Sequence, residues 1–188
     1  MSYHTHIIQG TWTTKNIDFL LHPENTLIIA SDICAAGQWK NSEFDNHTEL
    51  CVSNFIDIVN KNPIIIKCLQ QNSMILINEF DNQNPTLMNF LKNINANYTV
   101  MNKTSFNIGQ RQYHPYRHII IWGIHRELCV AQLAVSTANL SNFTRSIILN
   151  DACVPLTPGA NIDQLARFIH NIDIVYGHNI NFISYHEE

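Results

Sequence analysis

The chain has 188 residues, 45% of them hydrophobic, enough to close one sizeable core, so a single domain is expected. Only 14% of residues are charged and the formal net charge is -4, which leaves no basic field to hold a nucleic-acid backbone. No apolar run approaches the roughly 20 residues of a membrane-spanning helix, so neither nucleic acid nor membrane is expected as a partner.

Met1 to Gly10 is polar, carries His4 and His6, and lacks the apolar stretch of a signal peptide, which gives the expectation of a cytoplasmic protein. Residues 1–25 read as an N-terminal extension, and about 26–184 as the core of one domain covering 1–188. Thr26 to Ala30 (TLIIA) is a short apolar run that suits a buried strand, and it delivers Asp32 at its carboxyl end. From Thr48 to Asn60, Leu50, Cys51, Phe55, Ile58 and Val59 recur at helical spacing until Asn62-Pro63 stops the pattern. Pro63 to Lys67 (PIIIK) is β-branched and is expected to be the second strand, with Ser73 to Ile77 (SMILI) as a further short one.

Asn84-Pro85 opens a helix through Leu87, Phe90 and Leu91, and Tyr98 to Met101 reads as a strand that leads into Lys103. His118 to Trp122 (HIIIW), closed by Gly123, is the most β-like run and is expected at the centre of the sheet. Cys129 to Leu140 places Val130, Leu133, Ala134, Thr137 and Ala138 on one helical face. A strand over Arg145 to Leu149, a helix over Ile162 to Ile172 and a strand over Ile180 to Ser184 complete the series. Continuous apolar strands separated by helices indicate a parallel sheet covered on both faces. Ligands of such sheets bind beyond the carboxyl ends of the strands, where the chain order reverses. Asp32, Lys103 and Cys129 each follow such an end.

The five cysteines, Cys34, Cys51, Cys68, Cys129 and Cys153, are odd in number and form no CxxC pair, and read as reduced thiols. His4 and His6 are the only close histidine pair, so no metal and no cofactor is expected. A thiol in the first turn of a helix meets unpaired N–H groups and the positive end of the dipole, which favour the thiolate. A nearby Lys103 would lower its pKa further, and Asp32 would move the thiol proton. The N–H groups of His125 and Cys129 are candidates for an oxyanion hole. By position alone, however, Cys129 better suits a small core thiol packed like alanine, Asp32 a turn cap and Lys103 a solvated loop residue.

The segment Ile119 to Pro155 resembles the isochorismatase-like cysteine hydrolases, which show a strand, a G-[hydrophobic]-x-x-[D/E/N]-x-C-V turn, a helix, a strand and a D-A pair. Gly123, Ile124, Glu127, Cys129, Val130, Asp151 and Ala152 occupy those places. LIIASD resembles the strand that carries the family's acid, and YTVMNKTSF the one that carries its lysine, so the resemblance runs from Thr26 to Ser184. It implies a three-layer α/β sandwich with a mostly parallel, six-stranded Rossmann-like sheet covered by helices on both faces. It also implies a catalytic set of Asp32, Lys103 and Cys129, and a non-proline cis peptide at Ile124-His125. The implied reaction is metal-independent cleavage of a C–N bond in a small amide, carbamoyl or ureido compound through a thioester, in a homodimer or homotetramer.

The chain also departs from the family pattern. Cys34 and Gly37 stand where a glutamine and an aromatic are usual, with Trp39 delayed. Ser31 to Leu76 holds only His47 and no metal cluster, which disfavours nicotinamidase. His125 and Arg126 replace smaller turn residues, and FNIGQRQYHPYR replaces the usual helix after the lysine. Trp39, Phe106 and Arg126 are therefore the substrate-binding candidates, and the bulkier His125 and Arg126 side chains are expected either to bind an anionic substrate or to block the site. Two other readings stand beside the hydrolase: a catalytically silent binding protein that keeps the fold, and a vinyl ether hydrolase of the isochorismate type.

Overall fold

The computed structural model describes residues 22–103, 116–138, 144–156 and 180–183. A short turn of 3-10 helix at Pro23–Asn25 leads into β1 (Thr26–Ser31), which is buried along its whole length. Helix α1 (Ser42–Lys61) starts six residues before the expected Thr48, because the Asn41 side chain caps it by accepting from the Glu43 N–H at 3.0 Å. Glu43 and Asp45 in its first turn suit the positive end of the dipole. Thr48, Cys51, Val52, Phe55, Ile58 and Val59 form its buried stripe, whereas Leu50, expected among them, is exposed.

Pro63 to Lys67 is not a strand. It opens helix α2 (Pro63–Gln71), whose buried residues Ile65, Cys68 and Leu69 recur at helical spacing. Proline at the first helical position needs no N–H partner there, and the period continues past Lys67, so the β preference of the three isoleucines is overruled. The second strand is instead β2 (Met74–Asn78), followed by α3 (Pro85–Asn93), capped by the Asn84 side chain on the Leu87 N–H, and by β3 (Tyr98–Asn102).

The remaining elements are β4 (His118–Ile124), a π-helical turn at Arg126–Val130, α4 (Ala131–Ala138), β5 (Arg145–Val154) and β6 (Ile180–Ile183). Strand β5 runs five residues beyond the expected Leu149. Helix α4 begins two residues after Cys129, because the Ala131 N–H reaches back to the Arg126 carbonyl and so opens a π turn. The helix expected over Ile162 to Ile172 lies outside the described residues.

The six strands form one sheet in the order β3-β2-β1-β4-β5-β6, and all five neighbouring pairs are parallel. With the helices it makes a three-layer α/β fold, in which α1 packs on β4 and β5 and α4 on β5. Phe55 of α1 stacks on Trp122 of β4, ring centroids 4.0 Å apart and 7° from parallel, at the centre of the core. From β1 the chain builds towards one edge through β2 and β3, then returns to the other side of β1 with β4 and builds away through β5 and β6. The reversal therefore lies between β1 and β4, where such sheets hold ligands.

Candidate active site

Asp32 directly follows β1 and is 1% exposed. Its backbone is left-handed, with a φ of 60°, a conformation that aspartate tolerates better than most residues. The turn is held from β2: the Asp32 N–H donates to the Ile77 carbonyl at 2.9 Å. The side-chain amide of Asn78 both accepts from the Ile33 N–H at 2.9 Å and donates to the Ile33 carbonyl at 3.3 Å. Asn78, which holds the backbone next to Asp32, was not singled out in the sequence; its signal is a polar amide closing an apolar strand.

Cys129 lies in the π turn after β4. The turn is closed by the Leu128 and Val130 N–H groups, which donate to the His125 carbonyl at 3.1 and 3.3 Å. The peptide bond between Ile124 and His125 is cis. Gly123, with a φ of +128°, lets β4 lie directly against Ser31 of β1. Lys103 follows β3, two strands from β1, or about 10 Å at the usual strand spacing, and its long side chain crosses that gap. The Lys103 Nζ donates to Asp32 Oδ2 at 2.7 Å and to Cys129 Sγ at 3.0 Å. The three residues singled out from the sequence thus meet on one ammonium group.

Burial alone would lower the Lys103 pKa, but the bonds to Asp32 and then Cys129 outweigh it and hold the ammonium up at about 12. The Cys129 thiol is pushed up, first by burial and then by the Asp32 carboxylate, with Lys103 working the other way. This corrects the expectation of a thiol lowered by a helix terminus and a lysine. The cysteine stands before the helix, and its lysine is already shared with a carboxylate that repels the thiolate. Cys129 is nonetheless the half-exposed cysteine, whereas Cys34, Cys51, Cys68 and Cys153 are buried. Burial pushes Cys34 and Cys68 up to about 11 and Cys153 to about 12.

Arg126 is 5% exposed, and its guanidinium donates to Glu127 Oε1 from Nε at 2.9 Å and Nη2 at 2.6 Å, and to Asn150 Oδ1 at 2.8 Å. The second Glu127 oxygen accepts from the Leu156 N–H at 2.7 Å. These bonds tie the cysteine turn to β5 and to the residue pair after it, so the Arg126 charge expected for an anionic substrate is already matched within the protein. Trp39 packs edge-on to Phe44 and Phe80, and Phe44 in turn to His125. Phe106 lies outside the described residues. Phe44, Phe80 and His47 were not singled out from the sequence, where nothing separates them from ordinary helix and loop residues. Among the described residues, no three His, Cys, Asp or Glu side chains are grouped to hold a metal ion, and no helix is long and apolar enough to cross a membrane.

No family model matches the sequence, and no curated protein matches it either. Solved structures do. The MAR1 ribonuclease of Caenorhabditis elegans superposes with a TM-score of 0.55 at 16% identity, over 80% of this chain and 75% of that one. The nicotinamidase SaPncA of Staphylococcus aureus gives a TM-score of 0.55 at 9% identity, over 83% of this chain and 98% of that one. YcaC of Pseudomonas aeruginosa, solved with hexane-2,5-diol and covalent acrylamide, gives 0.51 at 16% identity, over 87% and 78%. A ribonuclease and a nicotinamidase do different chemistry, so likeness at this level establishes the fold and leaves the reaction to be argued from the site. The chain has the three-layer α/β fold of these structures.

Proposed function

We propose that the chain is a cysteine hydrolase that cleaves the C–N bond of a small amide, carbamoyl or ureido compound through a thioester on Cys129. The observation that carries this reading is the Lys103 ammonium, 2.7 Å from Asp32 Oδ2 and 3.0 Å from Cys129 Sγ, at the switch point of the sheet. A thiol with a raised pKa rests protonated beside a carboxylate that is ready to take its proton. As the proton moves to Asp32, the sulfur attacks the substrate carbonyl carbon, and the N–H groups of His125 and Cys129 receive the developing oxyanion. Asp32 then returns the proton to the leaving nitrogen, the C–N bond breaks, and the amine departs from the thioester. Water attacks the thioester carbon, giving up a proton through Asp32 to the departing sulfur, which frees the acid and restores the thiol. Lys103 stays charged throughout and holds the carboxylate and sulfur in register. In this reading Arg126 secures the turn and Trp39 belongs to the wall of the site.

The test is a hydrolysis screen over small amides, carbamoyl and ureido compounds, with release of the amine followed alongside the intact mass of the protein. An acyl adduct on Cys129 and loss of turnover in Cys129→Ala are expected. Full turnover in that variant overturns the mechanism, and a negative screen with an intact fold favours the silent binding protein.

A further inference from the structure

His125 is the bulky residue that replaces a small one in the cysteine turn. It is 7% exposed, and its Nε2 is buried with no hydrogen-bond partner among the described residues. Its ring lies edge-on to Phe44 at 4.6 Å between centroids and edge-on to His47 at 5.7 Å. Phe44 continues through Trp39 to Phe80, at 5.4 and 5.0 Å, so the imidazole ends an aromatic wall. His47 Nδ1, Trp39 Nε1 and Asp32 Oδ1 are also buried without a hydrogen-bond partner among the described residues. Buried polar atoms in folded proteins are almost always paired, so a cluster of unpaired ones beside a reacting group points to a bound partner. After burial and His47, the charges of Asp32, Glu127 and Lys103 also act on the imidazole.

We infer that His125 Nε2 is a specificity-determining contact of the Cys129 site, holding an uncharged hydrogen-bonding group that the substrate carries next to its scissile carbonyl. This rests on the hydrolase reading only in taking Cys129 as the reacting atom. The group is uncharged because the ions around Cys129 are already matched: Lys103 bonds Asp32 and Arg126 bonds Glu127. Burial, and then His47, push the imidazole down from its ordinary value and keep it neutral. A hydroxyl, a carbonyl or a ring nitrogen completes Nε2, whereas an ionised group would enter with no free counter-charge from those pairs.

The test uses three acrylamides as alkylating probes of Cys129 in the whole chain: N-(hydroxymethyl)acrylamide, its near-isostere N-ethylacrylamide, and the anionic N-acryloylglycine. Each rate is divided by that of the same probe with glutathione, which removes intrinsic reactivity. The wild type is expected to favour the hydroxymethyl probe about tenfold over each of the others, one good hydrogen bond's worth. His125→Phe should bring the hydroxymethyl-to-ethyl ratio to about one, and His125→Gln, which keeps a polar end, should retain part of it. A wild type without preference, a preference for the anionic probe, or a ratio unchanged in His125→Phe overturns the inference while leaving Cys129 as nucleophile. Absence of labelling at Cys129 by all three probes overturns the hydrolase reading, and this inference with it.

Discussion

Ser31 and Gly123 are register partners on adjacent parallel strands, so close that a Cβ on Gly123 would stand 2.1 Å from the Ser31 carbonyl oxygen. The contact brings together the ends of β1 and β4, and so the acid and the cysteine turn. Any side chain at 123 must both adopt a φ of +128° and push backbone apart. Gly123→Ala is expected to cost about 3 kcal/mol or more, a fall in Tm of roughly 6–12 °C for a domain of this size. A thermal melt checks it, and a Tm within a degree of wild type would show that the two strands are not held this closely.

Asp32→Asn keeps the shape of the side chain and removes the base. Turnover of any substrate found in the amide screen should fall by roughly 10²–10⁴-fold. Lys103→Met should lower it as well, because the Asp32 carboxylate, 1% exposed, loses the ammonium that matches its charge. Steady-state kinetics on the two variants, with circular dichroism to confirm folding, measure both effects. Wild-type turnover in Asp32→Asn would remove the carboxylate from the mechanism.

Burial and Asp32 push the Cys129 thiol above its ordinary value of 9.0, so the thiolate forms only in alkaline solution when no substrate is present. The rate of alkylation by iodoacetamide should still be climbing at pH 9.0. In Asp32→Asn, which loses the repelling carboxylate, the climb should shift to lower pH. A plateau near neutrality in the wild type would mean a resting thiolate. Mass mapping restricts the measurement to Cys129, since the other four thiols are buried.

His125 has its pKa lowered from 6.5 by burial and by His47, so the unfolded chain takes up a proton that the folded one resists. Its contribution is fully present above about 6.5 and is lost as the pH falls from there towards the lowered folded-state value. Wild-type stability should therefore drop more steeply below that pH than the stability of His125→Phe. Urea melts of the two proteins across the acid range give the comparison, and parallel curves would show that the imidazole is not buried in solution.

Much of this protein is legible in its sequence because parallel strands buried on both faces read as unbroken apolar runs. TLIIA, MILI, HIIIW and the Arg145 run lie in such strands and YTVM in the more exposed edge strand β3, and the parallel α/β class follows from their alternation with helical spacing. The PIIIK run misled, because five residues are too few to separate a buried strand from a helix face when proline opens the segment. The start of α1, fixed by the Asn41 side-chain cap, lies outside the apolar pattern and is expected too late, whereas Pro85 marks the start of the Asn84-capped α3 in the sequence itself.

The residue types at the strand ends, Asp32, Lys103 and Cys129, were likewise determined by the sequence, and each is one residue or a short turn beyond an apolar run. Their meeting is decided only in three dimensions. Strand order, a consequence of long-range packing, puts β1 beside β4 and leaves β3 two strands away, so that a single long side chain must span the gap. The electrostatics are tertiary for the same reason. A lysine near a cysteine promises a thiolate, but burial, and then a carboxylate that shares the lysine's ammonium from seventy-one residues away in the chain, push the thiol up instead.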